Sequence, residues 1–272
     1  MDVPAHYVQV DALYFQATES ATDTAFHDGK LITPKFNTRW GVRAKTGFSF
    51  CPDGWEVGLQ FLHYHGRTTE EIGGGDYLPT RGYPETVGIV DNFRSRWRLH
   101  LGFLDLYLTK GWEISPRLSL TPFAAIRFAG VRHKSRIIYR NAQEVNLSMK
   151  NKFWGIGPEV GLESLWHLRW GTSLFVRGAC SLLWGEVYLH QDQNDAKFFS
   201  EYDAMQKVGE MGIGLDFRKC FSCVELYLRA GWELYFLPGQ NRLARFTTQA
   251  QFVGSGGDLS MQGLSLGLGL YF

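Results

Sequence analysis

A few groups of side chains in this 272-residue chain have the types and spacing to do chemistry. His63 and His65, together with His190, Asp192 and Asp195, are what a hydrolase would need if they converged on one water. Arg94, Arg96, Arg98 and His100 form a basic stripe, while Glu210 and Glu233 are carboxylates that could oppose it. Cys220 and Cys223 flank a two-residue step and could bridge in an oxidising compartment. Gly73-Gly74-Gly75-Asp76 is not a phosphate loop, because no Gly-Lys-Ser/Thr follows it, and there is no Gly-x-Ser-x-Gly elbow. What any of these groups can do depends on the elements that hold them.

Those elements alternate with period two. Trp40, Val42, Ala44, Thr46, Phe48 and Phe50 interleave with Gly41, Arg43, Lys45, Gly47 and Ser49. Val224, Leu226, Leu228, Ala230, Trp232, Leu234 and Phe236 interleave with Glu225, Tyr227, Arg229, Gly231, Glu233 and Tyr235. Strands with one apolar and one polar or glycine face explain this; helical spacing would scatter both classes. The pattern predicts about ten strands near 7–17, 39–50, 55–65, 93–110, 117–131, 152–165, 172–189, 206–219, 223–237 and 260–272, with twelve as the alternative. In the fourth, Trp97, Leu99, Leu101 and Phe103 are odd, whereas Leu104, Leu106 and Leu108 are even, which predicts a bulge.

Short turns at 51–54, 113–116, 167–171 and 221–222 alternate with long polar connections at 18–38, 66–92, 132–151, 190–205 and 238–259. Large rings fall at both strand ends: Phe50, Trp55, Trp166, Phe217 and Phe272 near the turns, and Trp40, Phe61, Trp97, Trp154, Trp184, Trp232 and Phe236 toward the loops. Two aromatic girdles, short turns and long loops define an all-β, transmembrane, up-and-down antiparallel barrel filling residues 1–272 as one domain. A soluble sandwich would alternate too, but would not need large rings at both strand ends.

Charge and targeting signals are consistent with that placement. Lys+Arg number 28 against 27 Asp+Glu, so no net field attracts nucleic acid. No run approaches the ~18–20 apolar residues of a membrane helix. The opening Met1-Asp2-Val3-Pro4-Ala5-His6 has no basic start or apolar core, and the expectation is a leader already removed.

Val10-Asp11-Ala12-Leu13-Tyr14-Phe15-Gln16-Ala17 resembles the opening strand of the Legionella and chlamydial major outer membrane protein-like, pore-forming family. Arg39-Trp40-Gly41-Val42-Arg43 and Asp53-Gly54-Trp55-Glu56-Val57 are similar to its second and third strands. Gly155-Ile156-Gly157-Pro158-Glu159-Val160-Gly161-Leu162, followed by Trp166, is similar to its mid-chain strand. The ending Gly267-Leu268-Gly269-Leu270-Tyr271-Phe272 is typical of outer-membrane barrels. The resemblance implies integral outer-membrane localisation and a diffusion pore. Chlamydial members are longer and richer in cysteine than this chain with its four.

Parity and hairpin register then assign the lumen. Arg218 is expected opposite Glu225, Arg229 diagonal to Asp216, and Arg177 between Glu159 and Glu163, all as ion pairs. Glu210 and Glu233 are expected directly opposite one another as an acidic wall, with Arg94, Arg96, Arg98 and His100 as the basic wall across the lumen. His63 and His65 fall on the outward parity, away from any lumenal site.

The expected function is porin-like passive diffusion of small hydrophilic solutes or ions through a narrow charged lumen. A non-conducting structural or adhesin barrel acting through its loops is the alternative. An omptin-like outer-membrane protease is a third reading, which the outward histidines disfavour. No enzyme activity, catalytic residue, metal or cofactor is expected. Expected partners are outer-membrane lipids and lipopolysaccharide, the barrel-assembly machinery through the strand ending at Phe272, and further copies of the chain.

Overall fold

The computed structural model describes residues 6–50, 54–82, 88–141, 144–194, 196–221, 224–246, 252–254 and 256–272. Ten long strands form the wall: β1 (His6–Glu19), β2 (Arg39–Ser49), β3 (Trp55–Pro79), β4 (Val90–Lys110), β5 (Leu118–Arg140), β6 (Glu144–His167), β7 (Thr172–Gln193), β8 (Ala196–Phe221), β9 (Val224–Asn241) and β10 (Gly257–Tyr271). Each is antiparallel to its sequence neighbours, and β1 closes the cylinder on β10, from Tyr7 opposite Tyr271 to Glu19 opposite Leu259. Closure removes the free edges that lipid would not tolerate.

The strands are longer than the sequence pattern indicates. β3 has 25 residues and β8 has 26, whereas ~9–11 cross a bilayer. The excess lies on one side. Within the stretches 132–151 and 190–205, expected as loops, residues 132–140, 144–151, 190–193 and 196–205 are instead strand, with Arg140 opposite Glu144 and Gln193 opposite Ala196.

The cause is an inversion of polarity. In the lower half, outward Leu104, Leu106 and Leu108 are exposed while inward Asp105 and Thr109 are buried. In the upper half of the same strand, Phe93, Trp97, Leu99 and Leu101 are the buried inward residues, and Arg94, Arg96 and Arg98 face out. Pairing of β4 with β5 runs unbroken from Asn92–Arg140 to Thr109–Phe123. The expected bulge near residue 103 is therefore absent. The backbone keeps its phase; the surrounding medium changes from lipid to water, and side-chain polarity follows it.

The upper rim carries two short hairpins, one from Ala25–His27 with Lys30–Ile32 and one from Ala244–Phe246 with Phe252–Gly254. The first hairpin also pairs with β3, Ala25 opposite Pro79. Arg81, fully buried, donates to the carbonyls of Ala21, Asp23 and Leu243, joining three connections above the barrel. Burial lowers its guanidinium to about 10, so it stays charged at neutral pH. On the opposite rim, His6 and Phe272 exchange backbone hydrogen bonds of 2.8 Å in each direction.

Outward residues of the lower half form a continuous exposed apolar belt, with Trp40, Phe61, Trp154, Trp184, Trp232 and Phe236 along its upper margin. A patch of that extent has to be covered, and its shape fits a bilayer. Trp97, assigned from its position to the upper girdle, is instead 1% exposed inside the barrel.

Candidate functional site in the barrel lumen

Going up the lumen, the first layer is a cavity of about 380 Å³ at the short-turn end, lined among others by Lys45, Gln60, Tyr107, Glu163 and Arg177. Beside it the wall is closely packed. Gly58, for example, has no space for a side chain, since a Cβ there would meet the Tyr107 hydroxyl and the Thr46 carbonyl at 2.6 Å.

Above and beside the cavity lies a layer of buried ion pairs built on three arginines. Arg43 of β2 donates to Asp11 at 2.5 Å and to both oxygens of Glu233 at 2.7 and 2.8 Å. Arg127 of β5 donates to Asp105 at 2.7 and 2.8 Å and pairs with Glu159 at 3.0 Å and with Glu210. Arg229 of β9 holds Asp216 at 2.7 Å and Glu163 at 2.6 Å, with its guanidinium 4.1 Å from the Phe175 ring. Each fork meets carboxylates from two or more strands, a geometry lysine could not reproduce.

The third layer is mainly apolar. Leu13, Phe15, Leu62, Tyr64, Trp97 and Phe103 belong to a buried cluster that continues upward through Ile137, Tyr139, Leu147 and Leu183. The Tyr139 hydroxyl donates to the Thr24 carbonyl at 2.7 Å, tying this layer to the rim. The lumen is thus polar below, ion-paired in the middle and mainly apolar above, where a buried His133–Glu19 pair at 2.9 Å and buried Ser95 and Asn151 stand among the apolar side chains.

Several sequence-assigned residues sit elsewhere than expected. Arg94, Arg96 and Arg98 point outward into water and His100 lies on the same outer face, so there is no basic wall inside the barrel. Odd positions of β4 are inward throughout; the assignment followed from the bulge that does not form. Glu210 and Glu233 are inward and buried, but the β8–β9 register shifts them apart: Glu233 faces Gly212 and Glu210 faces Tyr235. Each has its own arginine, so they form no unpaired acidic wall.

The same register places Asp216 directly opposite Arg229, and leaves Arg218 and Glu225 diagonal at 4.0 Å. Arg177 faces Glu163, yet the two carboxylates assigned to it are taken by other partners, Glu159 by Arg127 and Glu163 by Arg229. Arg177 lies over the Phe123 ring at 4.6 Å. His63 and His65 face outward, and His190 pairs with Asp192 at 2.8 Å on the outer wall. Cys220 is exposed, while the expected link to Cys223 lies outside the described residues, as do Cys51 and Asp195. Among the described residues, no group of three His, Cys, Asp or Glu could hold a metal ion.

Arg43, Arg127, Asp11 and Asp105 carry much of the central layer and were not singled out from the sequence. Their signal is the same alternation: Arg127 stands between Ile126 and Phe128, and Asp105 between Leu104 and Leu106. A charged residue between two lipid-facing apolar ones has to point into the lumen.

A closed ten-stranded antiparallel cylinder with an outward apolar belt and inward charges is an outer-membrane β-barrel. The chain belongs to the family described as Legionella pneumophila major outer membrane protein precursor, which matches residues 3–272, and it is an integral outer-membrane protein. No curated protein sequence matches it. Among solved structures it is similar to the outer membrane protease OmpT from Escherichia coli, at 11% identity and TM-score 0.51, covering 100% of this chain and 98% of that one. Further similarities are to the translocator domain of the autotransporter NalP from Neisseria meningitidis (12% identity, TM-score 0.39, 99% and 88% covered) and the toluene transporter TodX of Pseudomonas putida (10%, 0.36, 100% and 89%). At these identities the likeness concerns the barrel fold alone.

Proposed function

We propose that this protein works as a barrel whose lumen is shut, an integral component of the outer membrane that meets its surroundings through its tall extracellular wall. The observation that carries this reading is the buried apolar cluster above the ion pairs, to which Trp97, Leu99, Leu101 and Phe103 belong, each at most 1% exposed. Hydrated ions do not cross packed side chains, because displacing their water there has no compensation. An interior filled by side chains is also what barrels of about eight strands show, whereas 16–18 strands leave a channel. The outward histidines give no support to a hydrolytic site, since none shares a water-filled recess with a lumenal carboxylate.

The porin-like reading has one specific observation in its favour. The lower lumen is polar, holds the 380 Å³ cavity and lines it with charges of both signs, Lys45, Arg177 and Arg218 beside Glu56, Glu159 and Glu163, as a vestibule for small hydrophilic solutes would. Passage would require the apolar layer to move. Liposome swelling with refolded protein and small sugars separates the two: no swelling above protein-free vesicles is expected, and swelling graded by sugar size would favour the pore.

A further inference from the structure

The outer wall just above the apolar belt carries two rows of basic side chains, in which His65 and His100 share an Nδ1···Nδ1 hydrogen bond of 3.2 Å, so that the fixed positive charge is carried by the arginines and lysines. Strand pairing sets His65 beside His100, His100 beside Arg132, and Arg132 beside Lys152, all outward. One step higher, Arg67, Arg98, Lys134, Lys150 and His190 stand in the same cross-strand order. Directly opposed like charges, with side chains ~5 Å apart at Cβ, destabilise a sheet unless counter-charge is supplied. None of Arg98, Arg132, Lys134, Lys150 or Lys152 has a carboxylate within 4.0 Å among the described residues; of the nearby acids, Glu71 pairs with Arg94, Asp192 with His190, and Glu186 accepts from Trp154 Nε1 at 3.1 Å and from the Tyr188 hydroxyl.

Directly below these two rows the wall is hollowed. Gly102 and Gly130 face each other across β4 and β5, with His63 on one flank and Trp154 on the other. A Cβ at Gly130 would meet nothing within 4 Å, and one at Gly102 only the Leu62 carbonyl at 3.8 Å. The result is an open groove of about 840 Å³, roofed by His100, Arg132, Lys150, Lys152 and His190. Its floor opens onto the lipid-facing belt at Phe128 and Ile156.

We infer that this groove binds a phosphorylated glycolipid of the outer leaflet, of lipid A type, with its phosphates on the Arg132–Lys152 rows and an acyl chain lying in the Gly102–Gly130 hollow. Both halves of the ligand are called for by the wall. The cations need anions at headgroup height, and the hollow beside Trp154 needs apolar filling at the depth where acyl chains begin. A soluble anion would answer the first need and leave the second. The inference holds whether or not the lumen conducts.

The test is native mass spectrometry of the refolded barrel in detergent, titrated with bis-phosphorylated lipid A, with the same lipid dephosphorylated, and with inorganic pyrophosphate. Wild type is expected to take up lipid A at least about tenfold more tightly than its dephosphorylated form, tenfold being 1.4 kcal/mol. R132Q/K152Q should lose that preference. G130F keeps every charge and fills open space, and should weaken lipid A while leaving pyrophosphate unaffected. Folding of each variant is read from its heat-modifiable gel mobility. Equal binding of both lipids, or lipid A binding unchanged in either folded variant, would overturn the assignment. Pyrophosphate binding as tight as lipid A would assign the rows to a free anion and overturn the lipid.

Discussion

Arg43 on β2 spans the lumen to Glu233 on β9 and grips it with two parallel hydrogen bonds of 2.7 and 2.8 Å, while its Nε holds Asp11 on β1 at 2.5 Å. β2 and β9 are not neighbours; β1 and β10 lie between them. One side chain therefore braces the cylinder across the seam where its first and last strands meet.

Truncating that brace strands two buried carboxylates. Arg43→Ala should destabilise the refolded barrel by about 3–5 kcal/mol, the range for removing one partner of a buried pair. Arg43→Met with Glu233→Gln and Asp11→Asn should recover much of the loss, since well-packed neutral groups can replace an ion-pair cluster. Guanidinium unfolding in lipid vesicles, followed by tryptophan fluorescence, measures both.

The inverted polarity of the upper wall makes a prediction at single-residue resolution. In cells, Arg96→Cys should react with a membrane-impermeant maleimide and Trp97→Cys should not, although they are adjacent, because the first side chain is in water and the second in the apolar layer. Mass tagging on a gel reads the difference. Equal labelling would mean that the layer around Trp97 is open to water.

How far the sequence could be read depended on this inversion. Strand number, closure, short-turn side and outward belt follow from runs such as 224–236, where large apolar residues alternate with polar ones in lipid. Above the membrane the same alternation continues with the signs exchanged, so 132–151 looks like a polar loop although its inward members Ile137, Tyr139, Val145 and Leu147 are core. The alternation itself holds in each half, but the faces assigned to the upper half of β4 were the reverse of those observed. The lumenal pairs failed for a smaller reason: β8 and β9 pair up to Phe221 opposite Val224, so the hairpin is centred one residue further along the chain than a turn at 221–222 implies, and every cross-strand partner moved by two. Arg229 and Asp216, expected on a diagonal, are face to face; Glu210 and Glu233, expected face to face, are not.

Gly155 of β6 and Gly185 of β7 face each other so closely that a Cβ at position 185 would fall 1.8 Å from the Trp154 carbonyl and 2.4 Å from the Gly155 Cα. Those contacts are backbone and cannot rotate away. Gly185→Val should abolish refolding, seen as loss of the heat-modifiable form, whereas Gly130→Val, in open space, should refold like wild type.

Arg81 makes a prediction about the rim alone. Arg81→Ala removes the donor that joins Ala21, Asp23 and Leu243, and should raise hydrogen exchange and protease cutting in 20–38 while the barrel strands stay protected. Protection lost along β1 or β9 as well would show that the latch supports the wall.

The closed lumen is the centre of this account, and single-channel recording in a planar bilayer tests it most directly. Correctly folded wild-type protein should give no discrete openings, because Trp97, Leu99, Leu101 and Phe103 are packed in one buried apolar cluster that hydrated ions do not cross. Discrete wild-type openings, with ion preference altered by Lys45→Gln in the lower cavity, would contradict it and establish the porin-like reading instead.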